Sequence, residues 1–310
     1  MSKEGDLSRT ACLLLAFGGP RSLDEVASFL ERLTKEKPSA AQVEELRRRY
    51  QAIGSASPLP EMTRRQAQAV EAALRQLGKL LRVYYGMLYS HPLIAEALEE
   101  IRTKEISRII LIPLSPYRSA FTSDAYYAEV KQTVATWDKG IELIQVTDWH
   151  THPALCVAWA REIEQGMGRF LKEKAALPVI FTAHSLPQKV AASSPYVRQL
   201  EETIAGITSI TGPLRWRLAF QSKGRGGEEW LGPEPVQCLQ ELVEEGMRTA
   251  LICPIGFISD HLETLNDLDI ALKEQADKQG IEFTRTPCLN DAPELIEVLV
   301  QLVEGALTGQ

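Results

Sequence analysis

Short, apolar, β-branched runs alternate along this chain with longer segments whose apolar positions recur at helical spacing. Buried parallel strands read as continuous apolar runs, so the alternation predicts a parallel sheet covered by helices on both faces. In the first half, strands are predicted near residues 11–17, 82–86, 108–114 and 141–146. In the second half they are predicted near residues 178–183, 215–221, 248–254 and 281–286, with helices such as 196–210 and 235–245 between them.

The two halves resemble each other most clearly at their third strands. Residues 108–127 (RIILIPLSPYRSAFTSDAYY) and 249–269 (TALICPIGFISDHLETLNDLD) both contain a strand, a proline, a small polar loop and then a helix. Capping residues mark the helix starts, at Thr122 or Ser123 in the first and at Ser259 or Asp260 in the second.

The repeat predicts an α/β fold of two similar Rossmann-like lobes, each with a four-stranded parallel sheet flanked by helices. We place the lobes at residues 1–150 and 151–290. The final helix, within residues 291–310, is expected to pack back on the first lobe. Both polar loops follow strands, and ligands of open α/β sheets bind at that carboxyl edge.

Composition excludes several classes of function. The chain has 310 residues and a formal net charge of -7, which argues against nucleic acid as a partner. The first apolar run, residues 11–17, is too short for a signal or membrane segment, so we expect a cytoplasmic protein without membrane insertion. Five scattered cysteines without CxxC spacing fit reduced thiols better than a disulfide framework or a zinc site.

His184 is the first candidate for chemistry. It is one of five histidines and ends the apolar strand in residues 179–187, VIFTAHSLP. Loops that follow parallel strands often carry functional residues. The alternative is a histidine that only caps or turns the chain.

Glu263 is the second candidate, in the stretch that follows the third strand of the second half. Asp260 and Glu263 have the spacing of a capping box, so a purely structural role is the alternative. Against it, Glu263 and Asp267 share a helix face at i, i+4, and this strand edge also presents His184. Carboxylates beside an imidazole suit a divalent cation in transit, with Asp267 as the outer carboxylate and His261 as a less favourable ligand.

Nucleotide chemistry is not indicated. Residues 18–20 (GGP) lack the GxGxxG spacing, and no GxxxxGK[ST] motif occurs. The cation-rich stretch Arg47, Arg48 and Arg49, before Tyr50, could bind a carboxylate or could be a solvated helix end favoured by the helix dipole.

Six blocks in order resemble one known family, the ferrochelatases, from Leu13 to Val303. The blocks are residues 14–20 (LLAFGGP), 49–59 (RYQAIGSASPL) with Thr63 and Gln66, 113–123 (PLSPYRSAFTS), 182–187 (TAHSLP), 221–233 (QSKGRGGEEWLGP), and 256–269 (GFISDHLETLNDLD) ahead of 287–290 (PCLN). Six matches at the family's spacing make chance an inadequate explanation.

The resemblance implies a porphyrin held in a cleft between two similar lobes and Fe(II) as the metal substrate. It assigns His184 and Glu263 as the catalytic, metal-handling pair, with Asp267 as a further metal ligand. It implies porphyrin contacts at Phe17, Arg49, Tyr50, Ser57 and Tyr126. No permanently bound cofactor is expected, nor the cysteine-bearing extension that holds an iron–sulfur cluster in some relatives.

Departures from the family concern substrate and product. Many short relatives have a tyrosine where this chain has Phe17, and Ala271 replaces a carboxylate of the helix stripe. The linker between Pro20 and Arg49 is short and polar, which favours coproporphyrin III over protoporphyrin IX. A cobalt chelatase acting on a related tetrapyrrole and a non-enzymatic tetrapyrrole or metal carrier are the alternatives. A monomer that transiently contacts neighbouring enzymes of heme synthesis is expected.

Overall fold

The computed structural model describes residues 7–138, 140–169, 177–224 and 227–309. Arg225 and Gly226, which belong to the motif at residues 221–233, and the first part of the polar N-terminus lie outside the described residues.

Eight strands lie within the described ranges and form two parallel sheets of four. They are β1 (Thr10–Ala16), β2 (Arg82–Met87), β3 (Arg108–Pro113), β4 (Glu142–Gln145), β5 (Val179–His184), β6 (Trp216–Gln221), β7 (Thr249–Cys253) and β8 (Glu282–Arg285). The first sheet has the order β2-β1-β3-β4 and the second the order β6-β5-β7-β8. The second order repeats the first with each strand four places later in the chain, so the predicted repeat and fold class are confirmed.

Helices connect the strands and cover the sheets. They are α1 (Val26–Thr34), α2 (Ala40–Ala52), α3 (Leu59–Gln76), α4 (Ile94–Arg102), α5 (Ser123–Val134), α6 (Pro153–Gly168), α7 (Gln188–Ala192), α8 (Tyr196–Thr211), α9 (Pro235–Glu244), α10 (Leu262–Leu265), α11 (Lys273–Gln279) and α12 (Pro293–Thr308). A π-helix, Asp267–Leu272, lies between α10 and α11. Among the described residues, no helix is both long enough and apolar enough to span a bilayer.

The described chain forms two compact units. The first contains the residues up to Trp149 and those from Asp291 onward, and the second runs from His150 to Asn290. In the first unit, α12 packs on α3 and β3.

Each unit has a core of fully buried side chains on its sheet. In the second unit, Ile180 of β5 and Ile252 of β7 pack against Leu239 and Leu242 of α9. Burying a side chain of this size contributes about 1.5–3 kcal/mol. These central strands therefore provide a rigid base for the loops at their carboxyl ends.

The five cysteines are all buried and none forms a disulfide. Burial raises the pKa of all five thiols, strongly at Cys288 and at Cys12 and Cys253, of which the last two lie in central strands. This agrees with the prediction of reduced thiols, and it makes these side chains part of the core.

Candidate active site

His184 is the last residue of β5, after five fully buried strand residues. Its side chain is 36% exposed, so it lies where the buried strand reaches the carboxyl edge of the sheet. The Nδ1 atom of the ring donates to the carbonyl oxygen of Ser185, and the hydroxyl of Tyr196 donates to the carbonyl oxygen of His184 at 3.1 Å. The bond to Ser185 orients the ring so that Nε2 is the nitrogen left for chemistry, and the bond from Tyr196 holds the backbone of His184.

Glu263 lies opposite this nitrogen. It is in α10, the single helical turn that follows β7, and its Oε1 is 3.4 Å from Nε2 of His184. The two side chains are thus within ion-pair distance although they are far apart in the chain. The structure brings together the two residues that the sequence singled out, within the second unit.

The electrostatics of His184 follow from this geometry. Burial lowers the pKa of its imidazole, but the negative charge of Glu263 and their hydrogen bond raise it, as do the bond to Ser185 and the charge of Asp267. The net pKa is raised to about 9. At neutral pH the pair therefore holds a proton that a metal ion on Nε2 would have to displace.

The alternative role of Glu263, a capping box with Asp260, is not observed, and the prediction that Ser259 or Asp260 caps this helix is wrong. The N-cap of α10 is His261, whose Nδ1 accepts the backbone N–H of Glu263 at 3.0 Å, and Thr264 Oγ1 accepts the N–H of His261 at 3.0 Å. Burial lowers the pKa of His261, and Phe257 packs edge-on against its ring at 4.6 Å. Capping thus falls to His261, and the carboxylate of Glu263 is directed at His184.

Asp267 begins the π-helix, in which the N–H of Ala271 donates to the carbonyl of Asn266 at 2.9 Å. Its carboxylate accepts from Ser222 Oγ at 2.6 Å and from Asn266 Nδ2 at 2.9 Å. Within the described ranges, no three His, Cys, Asp or Glu side chains are grouped closely enough to hold a metal ion together. Asp267 as a metal ligand therefore stays a prediction.

The five predicted porphyrin contacts all belong to the first unit. The ring of Phe17 lies 4.7 Å from that of Tyr89, and a Cβ added to Gly19 would meet Ser57 Oγ at 2.4 Å. Tyr126, in the first turn of α5, belongs to the same hydrophobic cluster as Phe17.

The five predicted porphyrin contacts differ in how far their side chains are exposed to solvent. Tyr50, Ser57 and Tyr126 are buried, whereas Phe17 is partly exposed and Arg49, in the last turn of α2, is half-buried. Burial raises the pKa of Tyr126 far above its usual value, so this phenol stays neutral. The role of these five residues as substrate contacts stays a prediction.

Sequence reasoning missed the residues that hold the pair in place. Gln221 Nε2 donates to the carbonyl oxygen of Glu263 at 2.7 Å, and Gly256 donates its N–H to Thr182 at 3.0 Å. A Cβ on Gly256 would lie 2.6 Å from both Cα and Cβ of Ala183, so only glycine lets this loop approach β5. Gln221 and Gly256 both open motif blocks, which was the available signal.

Two solved structures of SirB share this fold. The chain superimposes on SirB from Bacillus subtilis with Fe3+ at a TM-score of 0.61 and 10% identity, covering 97% of this chain and 98% of that one. The sirohydrochlorin chelatase SirB in complex with cobalt gives a TM-score of 0.59 at 11% identity, covering 97% and 96%. At these identities the comparison defines a chelatase-like fold and nothing finer.

Sequence comparison identifies the family. The ferrochelatase family model matches residues 9–307. The ferrochelatase of Herpetosiphon aurantiacus is 34% identical over 96% of this chain and 99% of its own length, and that of Deinococcus radiodurans is 34% identical over 94% of both. The chain belongs to the ferrochelatase family, enzymes that insert iron into a porphyrin. The resemblance found in the motifs is thereby confirmed.

Proposed function

We propose that this protein inserts Fe(II) into coproporphyrin III and that His184 and Glu263 are its catalytic pair. The observation that carries the assignment of the pair is the 3.4 Å approach of His184 Nε2 to Glu263 Oε1 at the carboxyl edge of the second sheet. Insertion requires that the macrocycle lose its two pyrrole protons while the metal sheds water. The site therefore needs a base beside a metal ligand, which an imidazole and a carboxylate can supply.

The fixed ring of His184 defines the roles. With Nδ1 held on the Ser185 carbonyl, Nε2 first passes its proton to the neighbouring carboxylate of Glu263 and is then the atom that accepts a pyrrole proton or binds iron. Asp267, held by Ser222 and Asn266, is the outer carboxylate that passes iron inward or protons outward. The two protons leave to solvent as iron takes their place, so charge and atoms balance.

The choice of coproporphyrin III rests on the first unit. The large hydrophobic side chains exposed in the described chain are Leu77, Leu80, Phe121, Val157, Ile210 and Trp216, and none lies between residues 20 and 49. Residues 20–49 therefore present no large exposed hydrophobic side chain to an apolar substrate. Coproporphyrin carries more carboxylates than protoporphyrin, and the cation-rich end of α2 at Arg49 suits them.

The test is a side-by-side assay of the purified protein under anaerobic conditions with Fe(II). Coproporphyrin III and protoporphyrin IX are offered separately, with Co(II) in parallel, and metalloporphyrin formation is followed by absorbance. We expect faster iron insertion into coproporphyrin III. An equal or reversed preference refutes the coproporphyrin assignment, faster Co(II) insertion favours a cobalt chelatase, and porphyrin binding without turnover identifies a carrier.

A further inference from the structure

Arg285, the last residue of β8, bridges two carboxylates of the segment that carries Glu263. Its Nε and Nη2 donate to the two oxygens of Asp269 at 2.6 and 2.7 Å, and its Nη1 lies 3.1 Å from Oδ1 of Asp260. The arginine side chain is only 10% exposed. These are charge-assisted contacts in a largely desolvated place, where such bonds are strong.

The two carboxylates bracket Glu263 in the chain. Asp260 precedes it in the loop after β7, and Asp269 follows it in the π-helix. Asp260 also accepts from Thr264 Oγ1 at 3.0 Å and from Asn290 Nδ2 at 2.8 Å. Asp260 therefore connects Arg285 to Thr264, the residue that follows Glu263 in the chain.

The backbone between Asp260 and Asp269 forms only short helical elements. Helix α10 is one turn, Leu262–Leu265, and it passes directly into the π-helix, Asp267–Leu272. A single helical turn is unstable in isolation, and π-helices are rare because their geometry is unfavourable. Side-chain contacts must therefore determine where this segment, and with it Glu263, is held.

We infer that Arg285 is a positioning residue, which holds the segment from Asp260 to Asp269 so that the carboxylate of Glu263 faces His184. This inference rests on the proposed function, because it assigns Arg285 a role in iron insertion through Glu263. It involves no contact of Arg285 with substrate.

The contact of Arg285 with Asp260 and Asp269 depends on the planar shape of its guanidinium group. Arginine presents several donors in a fixed fork, so it engages Asp269 with two parallel bonds and still reaches Asp260. Lysine keeps the charge but offers a point donor that cannot reproduce this geometry. Arg285→Lys therefore separates the geometry of the contact from its charge.

A matched control exists in the same unit. Arg217, near the start of β6, also bridges two carboxylates, with Nε 3.1 Å from Glu241 Oε2 and Nη2 2.6 Å from Glu245 Oε1. Its side chain is 22% exposed. Arg217→Lys thus makes the same chemical change in a similar ion-pair network that does not contact the segment of Glu263.

The experiment measures Fe(II) insertion per folded molecule, with the fraction folded taken from thermal unfolding. Arg285→Lys should lower kcat about 10–100-fold, as expected for a misplaced catalytic group, with the porphyrin KM changed less than about threefold. Arg217→Lys should stay within about twofold of wild type. Equal activity losses in the two variants, or a kcat for Arg285→Lys within twofold of wild type, would overturn the inference.

Asp269→Asn provides a second route if Arg285→Lys does not fold. It keeps the side-chain shape and leaves Arg285 on Asp260, and it should also lower kcat without raising the porphyrin KM. An unchanged kcat in a folded Asp269→Asn protein would likewise contradict the role of the bridge.

Combination with Glu263→Gln tests whether Arg285 acts through Glu263. In single-turnover assays, adding Arg285→Lys to Glu263→Gln should cause no further loss, whereas fully multiplied losses would refute the inferred route. Wild-type turnover by Glu263→Gln would instead refute the catalytic pair of the proposed function. A loss in Glu263→Gln with none in Arg285→Lys would refute the role of Arg285 alone.

Discussion

For single residues, the decisive feature of this site is which side chain caps α10. Spacing alone allows two capping boxes one residue apart, Asp260 with Glu263 or His261 with Thr264. The structure selects the second, so His261 and not Asp260 is the N-cap of the helix that carries Glu263. Sequence could not decide this, because the first residue of α10 depends on the position of the preceding loop. The bond from the backbone N–H of Asp260 to Asn290 Oδ1 helps to fix that position.

This assignment predicts that Glu263→Gln and His261→Ala differ in their effect on the free energy of unfolding. Glu263→Gln should cost little free energy of unfolding, because its backbone N–H and carbonyl still bond to His261 and Gln221 and the ion pair that it loses with His184 is partly exposed to solvent. His261→Ala removes the N-cap acceptor and should cost about 0.5–2 kcal/mol. Chemical denaturation of both variants measures this. A large loss in Glu263→Gln with none in His261→Ala would restore the capping box that the structure excludes.

Phe17 supplies a second prediction for a single residue. The family resemblance places this residue at the porphyrin, and a phenyl ring has no oxygen with which to bind iron, whereas tyrosine can be a haem ligand. Phe17→Tyr should therefore alter the absorption spectrum of bound ferric coproporphyrin, while iron insertion continues because His184 and Glu263 are unchanged. Identical spectra for the two proteins would mean that residue 17 does not reach the metal.

For secondary structure, the sequence was most informative about strands. The eight predicted strands agree with the observed ones to within one residue at every end. Central parallel strands are buried on both faces, so an unbroken apolar run such as residues 11–15 marks them directly. The π-helix was not foreseen, because its extra residue per turn leaves no distinct pattern of apolar positions, and the expected i, i+4 face of Glu263 and Asp267 assumed a regular α-helix.

The contacts that hold these elements together were also beyond the sequence. Arg285 reads as an ordinary charged residue at a strand end, and its partners Asp260 and Asp269 are revealed only when β8 lies beside β7. Gln221 and Ser222 stand in a recognisable motif, but its pattern does not show that they bind Glu263 and Asp267.

The close packing of β5 on the loop after β7 gives a prediction for this pair of elements. In Gly256→Ala, the new methyl group would lie 2.6 Å from Cα and Cβ of Ala183, next to His184. Overpacking of this kind costs about 1–3 kcal/mol, and the displaced loop should also lower turnover per folded molecule.

Gly168→Ala is the control for this change. Gly168 is the last residue of α6, and among the described residues an added Cβ there would meet no atom within 4 Å beyond its neighbours and its own helix backbone. We expect unchanged activity and equal or slightly higher stability, since alanine favours a helix over glycine. Thermal unfolding and turnover of both variants check the pair of predictions. Equal behaviour of Gly256→Ala and Gly168→Ala would contradict the close approach of Gly256 to β5.

On the scale of the whole molecule, one topology is used twice with different outcomes. Both sheets follow the same strand order, and in both a polar loop leaves the third strand and enters a helix. In the first unit that loop leads to the buried Tyr126, and in the second it leads to Glu263. The repeat explains why the pattern of apolar positions predicts the fold, whereas the side chains at the strand edges differ between the two units.

The central claim is that His184 and Glu263 act as one unit in iron insertion. Single-turnover Fe(II) insertion by His184→Ala, Glu263→Gln and the double variant tests it, with His91→Ala as control, since His91 forms an exposed pair with Glu96 at 2.8 Å. We predict losses of about 100-fold or more in each single variant, no further loss in the double variant and wild-type rates in the control. Wild-type turnover in either single variant, or losses that multiply in the double variant, would contradict the account.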